Sequence, residues 1–175
     1  MIRRDLAFLF AVAASLAGAA AYAQEAPPAC PAPASLPPEL AGWSAPHIAL
    51  NSAPTADRAR HALATVGKPV DIHLLATPAV HYAVQPGKPG GSVSKGGIVT
   101  FDVAEAGTYR IALGAGAWLD VIEAGQAVTS SAHGHGPDCS GIRKMVDYPL
   151  KPGRHLLQLS ASADPAISVL VTKLP

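Results

Sequence analysis

From Val70 onward, apolar residues recur at every second position in one short run after another, and turns bearing glycine or proline separate the runs about every ten residues. A period of two is a strand's period: successive side chains point to opposite faces, so each run buries one side. "VDIHLLA" sends Val70, Ile72 and Leu74 inward and Asp71 and His73 outward. "IVTFDV" aligns Val99, Phe101 and Val103, and "GTYRIAL" aligns Tyr109, Ile111 and Leu113 after a turn at Ala106-Gly107. "AWLDVIEAGQAV" reads as a strand, a turn at Ala124-Gly125 and a second strand. "IRKMVDYPL" and "RHLLQLSA" flank a "KPG" turn, and "AISVLVTKL" forms the last run. "AVHYAVQ" reads as a further short strand, and "PGKPGGSVSKGG" as a loop. Half-apolar strands of this number need a second layer to cover them. The expected fold is all-β: an antiparallel β-sandwich, jelly-roll-like, with one short helix and a proline-rich N-terminal arm.

The preceding residues divide into three pieces. Residues 1–23 carry Arg3 and Arg4, then small and apolar residues, then Ala21-Tyr22-Ala23, the pattern of a secretory signal peptide cut after Ala23. Residues 24–54 form a proline-rich arm in which no helix or ladder can run uninterrupted, with Leu36, Leu40 and Trp43 expected to dock on the domain of residues 55–175. In "TADRARHALATVGKP" Thr55 is placed to cap a helix and Asp57 to favour its first turn. Ala56, Ala59, Leu63 and Val66 share a stripe, and Gly67 and Pro69 end it.

Export sets the charge and the sulfur chemistry. Without residues 1–23, Lys+Arg falls from 13 to 11 and Asp+Glu from 12 to 11, leaving a formally neutral chain. Such a balance gives no footprint for nucleic acid, nor for a membrane once the signal is cut. The compartment is expected to be the periplasm or the medium, where two cysteines pair. A Cys30–Cys139 bridge therefore takes precedence over a Cys139 nucleophile. Ser140 lacks the strained elbow of a serine nucleophile.

Chemistry is concentrated in "TSSAHGHGPDCSGIRKM". On an extended segment His133 and His135 point to one side, so both imidazoles can meet one iron, copper or zinc ion, with Asp138, Asp120 or His81 as a third ligand. The plainer reading is a solvated polar turn. Trp118 and Asp120 share the outer face of their strand, a platform for a sugar or other small ligand, unless the arm covers the indole. Arg143 and Lys144 point to opposite faces, and one of them can hold an anionic ligand against the histidines. His81, outward on an early strand, is a further ligand-binding position. The reading that follows is a binding or envelope-interaction module, with a small molecule, a sugar or an envelope protein as partner. The alternative is a mononuclear metal site on His133 and His135.

"AGTYRIAL", "WLDVIEAGQ" and "LKPGRHLLQLSA" resemble strands of small exported bacterial β-sandwich modules of the carbohydrate-binding and pre-peptidase kind, over roughly Val70 to Leu174. The stretch from Ala132 to Asp147, "AHGHGPDCSGIRKMVD", is similar to short exported proteins that carry the name homogentisate 1,2-dioxygenase, an enzyme family of larger cupins with iron held by two histidines and a glutamate. That resemblance implies a metal-dependent dioxygenase in which His133 and His135 match the H-x-H element. No glutamate follows at the cupin spacing, where Cys139 and Ser140 stand, and His155 corresponds only loosely to the second motif's histidine.

Overall fold

The computed structural model describes Cys30, Ala32 and residues 34–175; the signal-peptide expectation for residues 1–23 lies outside the described residues. Twelve strands follow in chain order: β1 (Ile48–Asn51), β2 (Leu63–Ala64), β3 (Val70–His73), β4 (Leu75–Ala76), β5 (Lys95–Val103), β6 (Gly107–Leu113), β7 (Trp118–Glu123), β8 (Gln126–Ala127), β9 (Ala132–Gly134), β10 (Lys144–Leu150), β11 (Gly153–Ser162) and β12 (Ala166–Lys173). The first sheet runs β1-β3-β12-β6-β10-β9 and the second β2-β5-β11-β7-β8, with β4 also paired to β5. The chain is an all-β sandwich.

The alternation sets which faces meet. Ile72, Ile111, Leu113 and Val169 of the first sheet and Val99, Phe101, Leu157 and Leu159 of the second are buried in one cluster. The turns fall where the sequence places them. Ala124 (φ 48°) and Gly125 (φ 78°) both adopt left-handed backbone between β7 and β8, and Gly153 (φ 135°) opens β11.

Three early segments depart from expectation. Within the anticipated irregular arm, β1 pairs in parallel with β3, Ile48 opposite Val70 through Asn51 opposite His73. The anticipated helix is a single turn, α1 (Ala56–Ala59). Thr55 caps it by accepting from the Arg58 N–H, after which Leu63 and Ala64 turn into β2, parallel to Thr100 and Phe101 of β5. Leu63 is consequently exposed, and no helical stripe forms. The sheet edge outcompetes the helix because nucleating one is costly in so short a run. "AVHYAVQ" makes no strand. His81 forms an isolated bridge to Thr55, while the Ala83 and Val84 N–H groups donate to Gln158 Oε1 at 2.6 and 3.3 Å, and Gln158 Nε2 donates back to the Val84 carbonyl at 2.9 Å. One buried amide side chain does the work of a neighbouring strand.

The arm docks, but not on Trp118. Its 3-10 turn, Pro38–Ser44, buries Leu40 and Trp43 against Ala112, Ile142 and Leu170 on the outer face of the first sheet. Trp43 Nε1 donates to the Ser140 carbonyl at 2.9 Å. Arg110 donates from Nε and one Nη to both oxygens of Asp147, at 2.8 and 2.9 Å, and its other Nη lies 3.5 Å from Glu39 on the arm. Cys30 and Cys139 form a disulfide, their Cα atoms 5.6 Å apart, which ties the arm to the turn after the histidines. Cys139 holds a left-handed φ of 61° there. Among the described residues no helix is long and apolar enough to cross a membrane.

Candidate functional site

The two sheets part at one side. There β8 pairs only with Ile122 and Glu123, so β7 is an edge strand at Trp118, Leu119 and Asp120. On the facing sheet, short β9 lies outside β10, with His133 opposite Val146. Residues 128–131 cross between the layers. The result is a cleft of about 340 Å³ with Leu119, Val128, Val146 and Tyr148 as its floor and Trp118, Asp120, Ser130, His133 and Lys144 around its mouth. A second hollow of about 230 Å³ shares His133 and Lys144 and extends to Ala117, His135 and Arg143. The first cleft sits at the lower end of the size range of small-molecule sites, which are typically apolar clefts with a few convergent polar groups. A wider hollow of about 760 Å³ lies at the turn end of the sandwich. It is more open, and its only charged lining groups, Glu123 and Lys151, face each other at 3.6 Å. The smaller cleft carries the chemistry.

Its polar groups are held in place. Alternation puts Trp118 and Asp120 on one side of β7, and the indole Nε1 donates to Asp120 Oδ2 at 2.9 Å. Gly87 packs so tightly on the ring that a Cβ there would stand 2.9 Å from Trp118 Cζ2. The covering of Trp118 therefore comes from the glycine-rich loop, in place of the arm. Lys144 Nζ donates to the Ala117 carbonyl at 3.0 Å and sits 5.5 Å from the indole centroid; Lys88 Nζ stands 5.8 Å from the same ring. Both distances suit attraction between a cation and the ring.

Burial sets the direction of each titration. It pushes the Asp120 carboxyl up, against the Trp118 hydrogen bond and the Lys144 charge. It draws the Lys144 ammonium down, reinforced by the like charge of Lys88 and opposed by Asp120. The Tyr148 phenol, donating to the Leu119 carbonyl at 3.2 Å, is pushed up by burial and then by Asp120, so it remains a neutral donor at physiological pH.

The other expected site residues separate. His133 lines both hollows, whereas His135 lines only the second and donates from Nδ1 to the Arg143 carbonyl at 3.0 Å. Asp138 is exposed in the turn beyond and lines neither. Among the described residues, no three His, Cys, Asp or Glu side chains stand where one ion would be held. His81 bridges to Thr55 through its backbone, its main-chain N–H donating to the Pro54 carbonyl at 2.8 Å, and its exposed side chain lines neither hollow. His155 is buried in the core, stacked on Phe101 and donating from Nε2 to the Lys151 carbonyl at 2.9 Å. Cys139 is in the disulfide, and Ser140 Oγ accepts from the Ile142 N–H.

Tyr148, Val146, Val128 and Ser130 belong to the cleft without having been singled out from the sequence. Tyr148 and Val146 share strand parity with Lys144 in "KMVDY", a signal that was present. The crossover that brings Val128 and Ser130 over the gap has no such periodic mark. A scan against protein-family models finds no match to this chain, and a search of curated proteins finds none either.

Proposed function

We propose that this chain is an exported binding module that takes a small polar ligand, such as a sugar, in the cleft between β7 and β10. One observation carries the reading: an apolar floor of Leu119, Val128 and Val146 lies beneath Asp120, Lys144 and His133, all converging where the two sheets part. Such a floor suits the C–H face of a sugar ring, and the polar groups above it suit hydroxyls. Trp118, Ala117 and Leu119 fix the orientations of Asp120, Lys144 and Tyr148, so little ordering remains to be done on binding. Export is supported by the cleavable leader pattern and by the disulfide, which suits an oxidising compartment.

Tryptophan fluorescence tests the site. Trp43 belongs to the arm and is buried against the first sheet, and Trp118 is the indole at the cleft. Titration of the protein with hexoses and hexuronates is expected to change the emission, and Trp118→Phe to remove the response. A response that survives in Trp118→Phe would place binding elsewhere. Fractionation of cells carrying the chain with and without residues 1–23 tests export; retention of both forms in the cytoplasm would reject it.

A further inference from the structure

Around the cleft the charges do not balance. Lys144 and Arg143 line the two joined hollows against a single carboxylate, Asp120, and Lys88 stands over the same indole. Among the described residues, neither cation has a carboxylate oxygen within 4.0 Å. Three pairs elsewhere are closely matched, Arg110 with Asp147, Arg154 with Asp102, and Lys173 with Glu105, whereas the other unpaired cations of the described residues lie outside the two hollows. Lys144 is instead half-buried and fixed by a neutral carbonyl and an aromatic ring, with Asp120 acting on it only through space and no carboxylate in direct contact. A half-buried ammonium gains most from an anion it can contact directly, because water screens it less there.

Asp120 constrains the rest of the ligand. It already accepts one hydrogen bond from Trp118, and its remaining capacity is for hydroxyl or amine donors. A ligand that satisfies the site therefore carries one anionic group for Lys144 and Arg143, hydroxyl donors for Asp120, and a C–H face for Leu119 and Val146. Resting on the sugar-binding reading above, we infer that the cleft selects acidic sugars: hexuronates, whose single carboxylate neutralises the excess positive charge.

The test uses matched pairs: glucuronate with glucose, galacturonate with galactose, and mannuronate with mannose. Each is titrated into the isotopically labelled protein while amide shifts are followed. At least one uronate is expected to move amides at residues 117–120, 133–135 and 143–148 and to bind about tenfold or more tighter than its neutral parent. Lys144→Met should erase that preference while leaving weak binding of the neutral sugar. Arg143→Gln, at an exposed position, should reduce it without disturbing the fold. Equal affinity for acid and neutral members at these amides overturns the charge inference and leaves the sugar-binding reading standing. Absence of shifts at these amides with every sugar overturns both. Tight uronate binding that persists in both variants also overturns the inference, since the anion would then be held by other groups.

Discussion

The two faces of β10 treat charge in opposite ways. Asp147 points outward beneath the arm and is saturated by a two-pronged hydrogen bond from Arg110, with Glu39 completing the cluster. Lys144, three residues earlier and facing the gap between the sheets, meets only a carbonyl and an indole. Both positions are withdrawn from water, so the difference is one of partners. A charge matched by fixed counter-charges clamps chain to chain, and a charge matched by neutral groups keeps its field for something that arrives. On the proposed reading, the covered face of the first sheet is a scaffold and the gap is the receptor.

The comparison can be broken in several places. Replacing both cysteines by serine removes a link across 109 residues, and the chain-entropy model puts the loss at about 5 kcal/mol. The melting temperature should fall, and proteolysis should begin in residues 34–47 while the cleft amides keep their sugar response. Equal melting and equal protease resistance would sink the clamp reading. Asp147→Ala comes next, because it strands Arg110 beneath the arm with only Glu39 nearby. The expected cost is about 3 kcal/mol, seen as a fall in Tm of roughly 6–12 °C. The Arg110→Met, Asp147→Leu pair should recover most of it, since neither charge is then left alone. Lys144→Met should change stability by no more than about 1 kcal/mol in either direction, because the lost hydrogen bond is offset by removing a half-buried charge. Unlike the two scaffold changes, it should alter ligand preference.

The smallest effect concerns His47, whose Nδ1 donates to Asp71 at 2.8 Å and whose Nε2 faces the Trp43 carbonyl at 3.1 Å. The Asp71 hydrogen bond raises the imidazole's pKa, against its partial burial. Hydrogen bonds from Ser168 and then His47 hold the Asp71 carboxyl low. The raised histidine stabilises the fold fully below about pH 6.5 and loses that contribution as pH rises through its folded value. The depressed aspartate contributes above about pH 3.8 and loses it as pH falls through its folded value. Both operate between these limits. The Tm difference between wild type and Asp71→Asn should peak near about pH 5 and shrink above about pH 7, with less than about 1 kcal/mol at stake because the Asp71 side chain is nearly half exposed. A difference that is flat across this range would remove the pair from the clamp.

Strand parity was legible wherever a run was long enough to be buried on one face. Val99, Phe101, Val103, Tyr109, Ile111, Leu113, Leu119 and Val121 all point inward as their alternation requires. The pairing of Cys30 with Cys139 was legible from cysteine count and leader alone. What escaped was non-local. Nothing local to "AVHYAVQ" announces that Gln158, more than 70 residues away, will satisfy its backbone. Nor does "HALA" announce that β5 offers it an edge. The site was half legible for the same reason. Trp118, Asp120, His133, Arg143 and Lys144 could be picked out by type and parity, but only the facing of β7 and β10 shows which of them share a cavity. His155 shows the reverse case, a histidine of suggestive spacing that packs on Phe101 in the core.

The order of strands has a consequence for how the molecule assembles. β11 lies between β5 and β7, and β12 between β3 and β6, so the middle of each layer is supplied by the strands latest in chain order. A fragment reaching only Leu150 would hold both cysteines yet lack the centre of either layer. Sulfur pairing before those strands arrive would close a loop around an unfinished core, so acquisition of the native state is governed by late, long-distance docking and should be slow for a chain of this size. An oxidised chain truncated after β10 should therefore stay open to protease, whatever the state of its disulfide.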